Sequence, residues 1–123
     1  MLIGNFFSIS QIQTHQGSIL AVIEINPTHQ IFEGHFPGQP VVPGVCMLQM
    51  VKEILESVLK MQLMLTHADQ IKFLSMIDPR KTTKIKAEIR FDLSSVSEIP
   101  VNASLNNEGV VYMKMKAAFN QII

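Results

Sequence analysis

One histidine, His35, stands in the densest turn-forming stretch of the chain, Gly34-His35-Phe36-Pro37-Gly38-Gln39-Pro40-Val41-Val42-Pro43-Gly44-Val45. Three prolines and three glycines in twelve residues suit a loop that holds a side chain still and brings backbone amides close to a ligand. An imidazole titrates near neutrality, so it can take a proton from a carbon acid. The segment runs directly into a helical pattern, and the first amides of a helix have no partner within it. A base beside such amides suits chemistry at a carbonyl, where negative charge develops on oxygen. On these grounds the amide of Gly44 or Val45 is the expected carbonyl partner.

The elements that must position these groups follow from hydrophobic spacing. From Val45 to about Met61 there is no Gly or Pro, and Val45, Leu48, Val51, Leu55, Val58 and Leu59 recur at helical intervals. Met47, Met50, Ile54 and Met61 widen the stripe until little polar surface remains, which marks an enclosed helix. Residues 5–13 and 18–26 read as strands around the turn Thr14-His15-Gln16-Gly17. In the second, Ile19, Ala21, Ile23 and Ile25 share a face, and Leu20 and Val22 suggest cover on the other side too. Strand character returns at 71–77, before Asp78-Pro79, and at 83–93, where Ile85, Ala87, Ile89, Phe91 and Leu93 alternate with charges. Runs at 98–105 and 110–120 flank Asn106-Asn107-Glu108-Gly109, a hairpin turn. The expected fold is α+β, an antiparallel sheet of five to six strands wrapped around one long central helix, as a single domain spanning 1–123.

Composition narrows the function classes. Ten basic and ten acidic side chains cancel, so nothing global points to nucleic acid or an anionic membrane. The single cysteine, Cys46, excludes an internal disulfide and a cysteine-rich metal site. No signal-peptide pattern opens the chain and no run approaches a bilayer span, so a cytoplasmic location is expected. An apolar content of 47% with eight methionines suggests surface buried against another subunit.

The Gly34–Val45 segment closely resembles the active-site segment of bacterial 3-hydroxyacyl-[acyl-carrier-protein] dehydratases. The stretch Ile71-Lys72-Phe73-Leu74-Ser75-Met76-Ile77-Asp78-Pro79 is similar to that family's lysine–phenylalanine strand and its following turn. The resemblance covers most of the chain and implies the hot-dog fold. It also implies edge-to-edge homodimers, extending to trimers of dimers, with a site at the interface. There the histidine removes the C2 proton of a (3R)-3-hydroxyacyl thioester, a helical carboxylate helps the 3-hydroxyl leave as water, and an amide near the helix start bonds the carbonyl. A trans-2-enoyl thioester results, in fatty-acid, lipid or polyene biosynthesis. The implied partner is an acyl carrier protein bearing the substrate on phosphopantetheine, with no metal or soluble cofactor. His35 then becomes the base, and Phe36, Gly44 and Val45 the substrate-binding residues.

One departure matters. The family's carboxylate falls fourteen residues after the histidine, and here that position is Gln49. Gln can hold a hydroxyl or a water but has no acidic proton to give. Glu53 follows at i+4 on the same helix face, so Gln49 is expected to position the hydroxyl and Glu53 to supply the acid, directly or through water. The competing view of Glu53 is a solvated or lysine-paired carboxylate. Glu33, two residues before His35, reads as a solvent-facing carboxylate more than as a group that orients the imidazole. His15, His29 and His67 read as surface residues, and Cys46 as a packing residue rather than a reactive thiol. Lys72, Arg80, Lys81, Lys84 and Lys86 read either as a landing patch for an acidic carrier or as a solvated strand face. Two alternative functions stand beside the dehydratase: a catalytically impaired subunit of a hetero-oligomeric dehydratase, and an acyl thioesterase, against which the His-Phe-Pro loop argues.

Overall fold

The computed structural model describes residues 1–34 and 38–122. Its elements are β1 (Phe7–His15), β2 (Ser18–Ile25), a single turn of helix α1 (Ile31–Gly34), the long helix α2 (Gly44–Leu59), β3 (Leu63–Phe73), β4 (Lys84–Phe91), β5 (Ile99–Asn107) and β6 (Val110–Gln121). The strands form one sheet in the order β1-β2-β4-β5-β6-β3, with every pairing antiparallel.

Alternation decides which face meets the helix. Ile19, Ala21, Ile23 and Ile25 of β2, Ile85, Ala87 and Ile89 of β4, and Met113, Met115, Ala117 and Phe119 of β6 are all buried. They share one core with Met47, Met50, Val51, Ile54 and Leu55 of α2. Burying one face of a sheet against an apolar helix is the packing that the period-two and period-3.6 patterns require together. The result is the wrapped-sheet arrangement expected from the sequence, with six strands.

Three details differ from expectation. β3 begins at Leu63, well before the expected 71–77, and the segment 74–79 leaves the sheet as irregular chain. Residues 63–70 hide their strand character because β3 is an edge whose side chains are mostly exposed. Two bulges, between Leu65 and His67 and between Ala68 and Gln70, also break its alternation. β2 is covered on one face only, since Leu20 remains 37% exposed. The lysine patch divides: Lys72 lies on β3, and β6 and β5 separate it from Lys84 and Lys86 on β4.

The β5–β6 turn forms as its residues predict. Glu108 (φ 48°) and Gly109 (φ 83°) both adopt left-handed backbone, which suits a two-residue hairpin loop. No helix among the described residues is long and apolar enough to cross a membrane.

Candidate functional site

The start of α2 is open. Its cap position, Pro43, is extended (φ −62°, ψ 144°) and offers no side-chain hydrogen bond. The amides of Cys46 and Met47 turn back to the Pro43 carbonyl at 3.0 and 3.2 Å. Those of Gly44 and Val45 have no acceptor among the described residues, as the first donors of a helix lack intrahelical partners. They stand at the positive end of the dipole. Val45 is 71% exposed, so this corner of the helix faces outward.

An apolar groove of about 450 Å³ lies beside it, lined by Val41, Val42, Gly44, Met47 and the segment Phe73–Met76. Two strand-like contacts build it. The Val42 amide bonds the Ile77 carbonyl at 2.9 Å, and the Leu74 amide bonds the Tyr112 carbonyl at 2.8 Å. The Phe73 ring lies directly on Gly44, where an added Cβ would sit 2.8 Å from its Cζ. Glycine at the helix start lets the ring lie this close, and a larger residue there would push the ring outward. Phe73 itself is 51% exposed and forms a wall that a ligand can meet.

One turn below Val45, Gln49 is half-buried. Its Nε2 donates to Glu53 Oε2 at 2.8 Å, which turns the amide oxygen away from the carboxylate. Glu53 is 2% exposed, neither solvated nor paired with a lysine. The Leu2 amide donates to both of its oxygens at 2.9 Å, and the Ile3 amide to Oε1 at 2.8 Å. A buried carboxylate persists where charge-assisted bonds replace its water, and here the N-terminal backbone supplies them. No side-chain pattern announces this, because the donors are main-chain groups 50 and 51 residues away. The same N-terminal turn carries Phe6, whose ring packs against Phe32 of α1 at 5.5 Å and edge-on against His29 at 5.3 Å.

His35 and Phe36 lie outside the described residues. Gly44, Val45, Gln49 and Glu53 thus follow one another along successive turns of α2, with Phe73 and Met47 bordering the groove at Gly44 and Glu53 held against the N-terminal backbone. Glu33 and His15 are exposed, and His29 is half-buried. His67, on β3, stands 3.6 Å from Asp69 and 3.8 Å from Glu98. Cys46 is buried, and burial pushes its thiol above the ordinary range, as befits a packing residue. Among the described residues, no group of three His, Cys, Asp or Glu is placed to hold a metal.

Chemically, the arrangement offers two amides for a carbonyl oxygen, an apolar groove for a chain, and an amide side chain backed by a carboxylate. Comparison with known proteins bears on the fold and the family. The 3-hydroxyacyl-[acyl-carrier-protein] dehydratase FabZ of Hydrogenobaculum sp. is 24% identical over 113 residues, covering 85% of this chain and 76% of the relative. FabZ of Desulfotalea psychrophila is 23% identical, covering 83% and 74%. Among solved structures, the dehydratase heterocomplex ApeI:P from Xenorhabdus doucetiae superposes with a TM-score of 0.72 at 20% identity, covering 90% of this chain and 95% of that one. A hypothetical thioesterase from Streptococcus pneumoniae, solved with coenzyme A, gives 0.65 at 10% identity, covering 94% and 85%. These likenesses establish the hot-dog fold. The ApeI-like family, described as ApeI dehydratase, matches residues 11–100, and the chain belongs to that family.

Proposed function

We propose that this protein removes water from a (3R)-3-hydroxyacyl thioester carried on an acyl carrier protein, giving the trans-2-enoyl thioester. The observation that carries the proposal is the uncapped start of α2 beside an apolar groove. His35 takes the C2 proton, and the C–H electron pair moves toward the thioester carbonyl. The amides of Gly44 and Val45 receive the charge that develops on that oxygen. As the pair returns to form the C2–C3 double bond, the C3–O bond breaks. Gln49 holds the departing hydroxyl, and Glu53, behind it and in its protonated form, gives up its proton through a bound water and is left as the carboxylate, so that water leaves. Every contact of Glu53 uses it as an acceptor, so this step requires one of them to open. Phe36 joins the groove residues in contacting the substrate. No metal or soluble cofactor enters the reaction.

The protein is proposed to act in the cytoplasm as a homodimer, extendable to a trimer of dimers, joined through β3. That strand offers eleven residues of unpaired edge with Met64, Leu65 and Phe73 exposed. Such an edge calls for a partner.

The test is enoyl-thioester hydration and the reverse elimination, followed alongside free-thiol release. His35→Ala should lower turnover by about 10²–10⁴-fold. Glu53→Gln should abolish it while the protein stays folded. Full activity of a folded Glu53→Gln variant would return the leaving-group proton to the imidazolium of His35. Thiol release without enoyl formation would make the protein a thioesterase.

A second reading has its own support. Gln49 replaces the expected carboxylate and Glu53 is saturated by N–H donors, as suits an impaired subunit of a hetero-oligomer. Activity that appears only when a homologous chain co-purifies would establish it.

A further inference from the structure

The face of the sheet turned away from α2 carries a charge asymmetry that the reaction does not use. Strand register places side chains there in rows. One row runs Leu20, Glu88, Ser104, Lys114, Lys72, and the next runs Ser18, Arg90, Asn102, Lys116, Gln70. Although the chain's formal net charge is +0, six of its ten basic side chains lie on this face: Lys72, Lys84, Lys86, Arg90, Lys114 and Lys116. Glu24 and Glu88 are the acids in the same rows.

The cations are not neutralised locally. Among the described residues, Arg90, Lys114, Lys116 and Lys72 have no carboxylate within ion-pair distance. Glu88, the nearest in register, instead accepts the Asn106 side-chain amide at 2.9 Å. Lys72 stands directly opposite Lys114, a like-charge pairing that weakens a sheet. An outside anion would relieve that repulsion.

The relief of the face has a shape. Short side chains on β5, Asn102 and Ser104, form a floor, and longer ones on β4 and β6, Arg90, Lys114 and Lys116, form the walls. With Glu88 and Gln70 they line an open trough of about 390 Å³, in which three cations face one carboxylate. Two strand spacings, about 9.6 Å, separate the walls, and Lys114 and Lys116 repeat at about 6.8 Å along β6. Carboxylates on alternate residues of an extended chain repeat at the same interval. No aromatic lines the trough, so it offers no platform for stacked bases. Met115, the one large apolar residue along it, is buried in the core, so the trough presents no apolar side chain to enter a lipid surface.

We infer that this trough binds an extended acidic segment of a partner protein, with carboxylates on alternate residues meeting Lys114, Lys116 and Arg90. It lies across the sheet from the helix start, so it is independent of the catalytic proposal.

Fluorescence anisotropy with a labelled peptide of alternating Glu and Ser tests the inference. Wild type should bind the peptide at low salt and release it at high salt, as exposed charge contacts do. The pair Arg90→Glu and Lys116→Glu should weaken binding by about tenfold, since two attractions become two repulsions. The neutral pair Arg90→Gln and Lys116→Gln, which leaves the fold less disturbed, should weaken it less. Lys81→Glu, off the trough, should change nothing. Absence of binding by wild type overturns the inference, as does equal binding by both folded double variants. Tighter binding of inorganic polyphosphate or anionic phosphatidylglycerol vesicles than of the peptide overturns it too.

Discussion

The two ends of α2 are built on opposite plans. At its end, Lys60 takes up the left-handed conformation (φ 57°, ψ 43°) and its amide bonds the Glu56 carbonyl at 2.9 Å. The Glu56 carboxylate then takes the Leu63 amide at 2.8 Å and so fastens the first residue of β3. At its start, Pro43 provides no side-chain acceptor, no acidic residue occupies the first turn, and Val45 faces outward. Capping either end ordinarily stabilises a helix by about 1 kcal/mol. A helix closed at one end and open at the other keeps donors for something besides itself. The proposed reaction makes use of the open end.

This contrast can be broken from several sides. The largest effect on stability should come from Glu53→Ala, which strips the acceptor from the part-buried Leu2 and Ile3 amides and leaves a cavity where a buried side chain stood. A loss of about 3 kcal/mol is expected, read as a shift in the urea midpoint at unchanged slope. Glu56→Ala should cost about 1 kcal/mol, because its half-buried side chain accepts one amide, whereas buried Glu53 accepts from two amides and Gln49. A loss equal to that of Glu53→Ala would mean that both carboxylates act alike.

The helix start is sharpened by Pro43→Asp. A carboxylate at the cap position should accept the open amides and raise stability by about 1 kcal/mol. By occupying the carbonyl site it should also lower kcat/KM for the enoyl thioester by about 10²-fold. If stability and turnover rise together, the open amides do not serve the carbonyl. At the other end, Lys60→Gly should stabilise by about 0.5 kcal/mol, since glycine carries no steric penalty in the left-handed region. Turnover there should be unchanged.

The smallest effect concerns Cys46, in the first turn of α2. Its folded-state value is raised by burial, so the native chain keeps a proton that the unfolded chain releases. Its contribution to stability is complete below the ordinary thiol value and is lost as pH rises from there through the raised folded value. Wild type should therefore lose more stability than Cys46→Ala between neutral and alkaline pH. Parallel curves from chemical denaturation would show that the thiol is not held in its protonated form by burial.

Much of this was legible without coordinates. Val45 to about Met61 announced a helix because its apolar residues recur at 3.6-residue spacing, and the helix runs from Gly44 to Leu59. β4 announced a strand because Ile85, Ala87 and Ile89 alternate with charges. β3 was half-hidden, since an exposed, twice-bulged edge strand has neither a dry face nor a steady period. In the site, Gly44 and Val45 were visible as helix-start residues. The environment of Glu53 was not, because a side chain held by distant backbone amides leaves no trace in residue types.

The sequence by itself determined the periodicities, the turn residues and the spacing of His35, Gln49 and Glu53, because those depend on local geometry and neighbouring side chains. Tertiary structure alone decided that Glu53 is buried against the Leu2 and Ile3 amides and that the Phe73 ring closes on Gly44. It alone gathered cations from three strands onto one face. Each of these joins segments far apart in the chain, and only packing and strand register fix which of them meet.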